Sequence, residues 1–247
     1  MSQSRRDLTI VGVFVVWLTG VLTLDAGAGP WAQRALGAAS WIILLALLRG
    51  EQPAVRAQVA VVVVFATAVE FTASPFLGLY TYRLHNVPAF VPPGHGGTFL
   101  AALALARSPL FRVYGRMLVR FALLSCAAWA LWGLLVTPRR DVLGFILFLL
   151  FLTVVARGRK PSVYASTFIL TAILEVMGTS LGNWAWALRD PTDLVSIGNP
   201  PSGIAGGYVM LDMVAMRGGP VLQLLFQRLS RPTSISPLWA RFRPLPP

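Results

Sequence analysis

Apolar residues recur along this chain in eight runs, at roughly 8–24, 35–48, 57–74, 94–106, 118–136, 142–156, 163–181 and 203–216. Runs of that length leave a chain few ways to fold. A backbone surrounded by hydrocarbon must satisfy its own N–H and C=O groups, and a helix does so within one segment. The expected fold class is therefore all-α, a polytopic membrane protein with eight transmembrane helices. Several runs fall short of the ~20 residues of an average span, so flanking residues must extend them or the bilayer must thin locally. Composition agrees, with 56% hydrophobic and 12% charged residues and a mean hydropathy of +0.69. That charged share is well below the usual one for a soluble domain.

The net charge is +12. In a soluble chain such a charge would suggest nucleic acid, but here it is assigned to basic loops on one membrane face, and no nucleic-acid partner is expected. Eight spans put both termini on one side, and 16 of the 21 basic residues then fall on that side. Arg34, Arg83, Arg139, Arg140 and Arg189 fall on the other. The positive-inside rule makes the richer side cytoplasmic. Arginine outnumbers lysine 20 to 1, a bias of GC-rich bacterial genomes, which places the chain in a bacterial cytoplasmic membrane. Arg5 and Arg6 precede an apolar run with no clean cleavage site, so that run reads as a first membrane helix. A lone Cys126 offers neither a disulfide framework nor a thiolate metal cluster.

One stretch occurs twice. EFTASPFLGLYTYRLHNVPAFVPPGHGG runs from Glu70 to Gly97, and EVMGTSLGNWAWALRDPTDLVSIGNPPSG from Glu175 to Gly203. Glu70 answers to Glu175, Tyr80 and Tyr82 to Trp184 and Trp186, Arg83 to Arg189, and Pro92-Pro93 to Pro200-Pro201. Spans one to four are offset from spans five to eight by about 105 to 110 residues, so two parallel four-helix repeats are expected, over 1–112 and 113–217. Residues 218–247 follow as a third part. Gly218-Gly219-Pro220 is expected to stop the last span, with VLQLLFQRL (221–229) a separate amphipathic helix on the inner leaflet. The remaining Pro-rich basic stretch reads as a cytoplasmic tail.

Three of the nine acidic residues lie inside predicted spans: Glu70, Glu175 and Asp212. A carboxylate at membrane depth costs a few kcal/mol on insertion scales, which makes each a functional candidate, with helix packing as the plainer explanation. Hydroxyls flank both glutamates at helical spacing, Thr67 and Ser74 on one helix, Thr171 and Thr179 on the other. If the repeats pack face to face, the two carboxylates converge in an apolar chamber, where one acts as acid and the other as base. Asp212 follows Tyr208 by four residues, so the two share a helix face and a possible hydrogen bond. His95 opens the fourth span and is expected to bond Glu70, shuttle a proton or cap its helix. One histidine without a second ligand at helical spacing makes a poor metal site, and no metal or other cofactor is expected.

Tyr80, Tyr82, Trp184 and Trp186 fit an interfacial aromatic belt. Alternatively they wall a substrate site and steady a cation. Asn183 and Asn199 are candidates for orienting a water or a headgroup. Arg83 and Arg189, beside two Pro-led helix starts, are candidates for a lipid phosphate.

At Glu70, Gly78, Tyr80 and Tyr82, followed by Asn86-Val87-Pro88, the sequence resembles the bacterial membrane family of carotenoid biosynthesis proteins, which includes carotenoid hydratases. The resemblance covers about thirty residues, with a fainter echo from Glu175 to Trp186. It implies addition of water across a terminal double bond of an acyclic carotenoid, with Glu70 protonating the alkene. The Pro-Pro-Gly-His-Gly turn and the Trp184–Trp186 pair depart from that pattern. A weaker likeness is to the small integral-membrane terpene cyclases, which use paired carboxylates on distant spans, although their Asn-x-x-Trp-Glu type of signature is absent. The expected function is thus a membrane enzyme, a hydratase or cyclase of the lyase kind, acting on an isoprenoid-like lipid. The alternative is a proton-coupled small-molecule or lipid transporter or flippase using the same carboxylates, and a third reading is a scaffold that catalyses nothing.

Overall fold

The computed structural model describes residues 2–229, and each apolar run overlaps a helix. The helices are α1 (Gln3–Asp25), α2 (Pro30–Leu48), α3 (Pro53–Phe71), α4 (Val91–Arg107), α5 (Pro109–Leu135), α6 (Val142–Arg157), α7 (Pro161–Ser180) and α8 (Ala205–Leu229). A π-helical turn, Thr72–Phe76, extends α3. Proline opens α2, α3, α5 and α7, where its missing N–H is no loss. Ser108 ends α4 and begins α5, so Ser108-Pro109 forms the expected break.

Among the described residues, six helices are each long and apolar enough to cross a membrane: α1, α2, α3 with its π turn, α5, α7 and α8. Helix α6 has 16 residues, a rise of about 24 Å against a hydrocarbon core of roughly 30 Å. Helix α4 has 17 residues, begins with small and polar residues, and is largely buried among α1, α3 and α7.

The all-α expectation missed one element. Strands β1 (Tyr80–Tyr82) and β2 (Trp184–Trp186) form an antiparallel ribbon, pairing Tyr80 with Trp186, Thr81 with Ala185 and Tyr82 with Trp184. Opposed residues in such a pair share a face. All four aromatic rings are buried on one side of the ribbon, while Thr81 and Ala185 are exposed.

Helix α8 also departs from expectation. Gly218-Gly219-Pro220 does not stop it, and residues 221–229 continue the same helix. The glycines serve a close approach instead, since α8 packs most extensively on α3. A Cβ on Gly219 would stand 2.4 Å from Gln58 Cγ and 3.1 Å from its Cα. The expected tail lies outside the described residues.

Polar networks tie the helix ends together. At the arginine-rich end, Arg107 reaches Asp7 at 2.8 Å and Glu51 at 3.1 Å. Arg6 bonds the Gly50 carbonyl and pairs with Glu51 at 3.2 Å. At the ribbon end, buried Asp25 accepts from Gln33 at 2.8 Å and Asn183 at 3.0 Å, with Arg83 at 3.8 Å. Because Arg83 follows β1 and Asn183 precedes β2, this one carboxylate fastens both strands. Buried Asp141 caps α6 and accepts from the backbone N–H groups of Gly144, Gly198 and Ser202 and from the Ser202 hydroxyl. It thereby pins the 198–202 loop ahead of α8.

Candidate functional site

The ribbon roofs a cavity of about 190 Å³ whose walls come from α1, α3, α4, α7 and α8, with Ser40 of α2. Apolar side chains make up most of it, among them Phe14, Leu18, Leu22, Leu174, Ile204 and Leu211. Both duplicated glutamates face this space. Glu70 is delivered by the last turn of α3 and Glu175 by α7, and each is almost wholly buried.

The two carboxylates have different partners. Glu70 Oε2 accepts from the Tyr80 hydroxyl at 2.6 Å and the Tyr82 hydroxyl at 2.8 Å. Its Oε1 lies 2.7 Å from His95 Nε2, as the sequence suggested. Burial, then the neighbouring Glu70 charge, holds the Tyr80 and Tyr82 phenols well above their ordinary pKa, so both remain protonated donors. Glu175 Oε2 accepts from the indole N–H groups of Trp184 at 3.2 Å and Trp186 at 3.3 Å. Its Oε1 meets the Tyr208 hydroxyl at 3.2 Å. An indole N–H only donates, so a proton on Glu175 has its place on Oε1, facing Tyr208.

The two sets touch through aromatic rings. His95 stacks on Tyr208 with centroids 5.4 Å apart, and Tyr80 packs against Trp186 at 4.6 Å. Gly178 makes room for the roof: a Cβ there would sit 1.9 Å from the Trp184 ring. The aromatic pairs are thus cavity wall rather than an interfacial belt.

Other candidates lie elsewhere. Asp212 is buried but does not line the cavity; it accepts from Thr167 at 2.5 Å in the seam between α7 and α8. The expected bond from Tyr208 is absent because that hydroxyl turns to Glu175. Arg83 donates to the carbonyls of Asp25 and Ala28, at 2.5 Å each, closing the end of α1. Arg189 is exposed and pairs with Asp193 at 3.4 Å. Asn183 is occupied by Asp25 and the Leu22 carbonyl, and Asn199 accepts the Trp186 backbone N–H at 3.0 Å. The flanking threonines bond helix carbonyls, Thr67 that of Val63 and Thr179 that of Glu175, instead of the carboxylates.

Sequence reasoning missed the α1 wall, including Trp17, whose indole donates to Ser40 at 3.1 Å. It also missed Asp25 and Asp141 as anchors of the roof. Among the described residues, no three His, Cys, Asp or Glu side chains converge as metal ligands. No family model, curated protein or solved structure matches the chain.

Proposed function

We propose that this protein is a membrane enzyme performing acid–base chemistry on a carbon–carbon double bond of an isoprenoid-like lipid, with hydration as the leading reaction. One observation carries the reading: two buried carboxylates from different helices line a single apolar cavity under an aromatic roof. In hydration, the Glu70–His95 pair gives a proton to the alkene, leaving a tertiary carbocation. The faces of Tyr80, Tyr82, Trp184 and Trp186 steady that cation. Water then adds to it, Glu175 takes the released proton, and the return of that proton to the Glu70–His95 pair restores the enzyme, so that over the whole cycle one water is added to the double bond. The likeness to carotenoid hydratases suggests an acyclic isoprenoid as substrate.

The same proposal places all eight helices in the membrane, as two parallel repeats with both termini cytoplasmic. The antiparallel ribbon supports it, because a two-fold axis normal to the ribbon between Thr81 and Ala185 exchanges Tyr80 with Trp184 and Tyr82 with Trp186, the same correspondence as in the two sequence repeats. A proton-coupled transporter is the second reading, favoured by the stacked His95 and Tyr208 that join the two carboxylate sets.

The test uses protein reconstituted in liposomes with an acyclic isoprenoid in ¹⁸O-labelled water. Labelled alcohol should form, and Glu70→Gln or Glu175→Gln should abolish it while lipid still binds. Conversion surviving both changes would dismiss the enzyme reading. Flux that follows an imposed pH gradient without conversion would establish the transporter.

A further inference from the structure

The chain has nine carboxylate side chains, and each has partners of its own. Asp7 and Glu51 hold Arg107, Asp25 and Asp141 anchor the roof, and Asp193 pairs with Arg189. Asp190 closes its own turn on Thr192 and Val195, Asp212 takes Thr167, and the two glutamates face the cavity. Many cations at the arginine-rich end have no acidic partner among the described residues, and four of them stand together: Arg157, Arg159, Lys160 and Arg217. All four line one cleft of about 660 Å³ where the α6–α7 connection meets α8.

Gathering like charges around one recess is costly unless an anion enters it. No carboxylate of the described protein does so. The cleft is also two-faced, because Val154, Met213 and Met216, with the Tyr164 ring, form much of the rest of its lining. A cationic rim over an apolar wall matches a molecule with a phosphate at one end and hydrocarbon at the other. We propose that this cleft binds an anionic glycerophospholipid of the adjoining leaflet. Arg157, Arg159, Lys160 and Arg217 hold its phosphate, and its acyl chains lie along Val154 and Met213. This site shares no residue with the glutamate cavity, so it stands or falls separately from the enzymatic reading.

The test compares phosphatidylglycerol and phosphatidylcholine retained by the full-length protein from mixed nanodiscs, read by native mass spectrometry. Phosphatidylglycerol should be enriched. Arg159→Gln with Arg217→Gln should weaken its retention about thirtyfold, the effect of two lost surface cations. Arg159→Lys with Arg217→Lys, which keeps the charge, should retain it. Equal retention of the two lipids by the unaltered protein would overturn the proposal, as would equal losses in the glutamine and lysine variants. Displacement of the lipid by millimolar inorganic phosphate would assign the cleft to a soluble anion and overturn the lipid.

Discussion

His95 and Tyr208 lie ring against ring at 5.4 Å, each bonded to a different buried carboxylate, His95 to Glu70 and Tyr208 to Glu175. They come from the starts of α4 and α8, so this stacked pair is where the two carboxylate sets meet. His95→Gln keeps a donor near Glu70 but loses the titrating group. Conversion should fall by about 10²-fold or more, with little change in melting temperature. Parallel activity assays and thermal melts check this.

Gly178→Ala tests the seat of the roof. The added methyl would overlap the Trp184 ring, and overpacking of this kind costs roughly 1–3 kcal/mol. A lower unfolding midpoint and altered tryptophan fluorescence are expected, with loss of activity as Trp184 leaves Glu175.

Asp141→Ala should be worse. It strands the N–H groups of Gly144, Gly198 and Ser202 and the Ser202 hydroxyl. Unsatisfied buried donors cost about 1–3 kcal/mol each before relaxation, so a loss of about 3 kcal/mol is expected in equilibrium unfolding.

Much of this arrangement was written in the sequence, and the reason differs from part to part. Eight helices were legible because apolar runs have no other use at that length. The pairing of Glu70 with Glu175 was legible because the neighbouring aromatics repeat with them. His95 stood out as a histidine one turn into a helix facing an acid. The ribbon was not legible, since strands of three residues give too short an alternation to register beside long helices. Asp212 misled because i to i+4 spacing from Tyr208 fixes a shared face but not which acceptor the hydroxyl selects. Gly218-Gly219 misled because the same residues that end helices also let two helices touch, and only the presence of Gln58 decides between them.

Asp212→Asn therefore separates burial from function. The amide can still accept from Thr167, and the residue does not line the cavity. Conversion should stay within about threefold of the unaltered protein, in contrast to Glu175→Gln. A larger loss in the same assay would return Asp212 to the site.

The loop after β2 offers a pH test. Bonds from the Thr192 hydroxyl, and then from the Val195 N–H, lower the Asp190 pKa to about 2 from an ordinary 3.8. The folded value is the depressed one, so the turn's contribution is fully present above the ordinary value. It fades as pH falls through about 2. Carbon NMR titration of the Asp190 carboxyl should show this midpoint, and Thr192→Val should move it upward.

The register of the ribbon has a consequence for how the chain can be divided. A break at Ser108 would leave the tyrosine strand on one fragment and the tryptophan strand on the other, each with a bare edge and half a chamber. Neither fragment should be stable by itself, yet the two co-produced should recognise each other through those edges. A molecule built this way carries its own complementation assay.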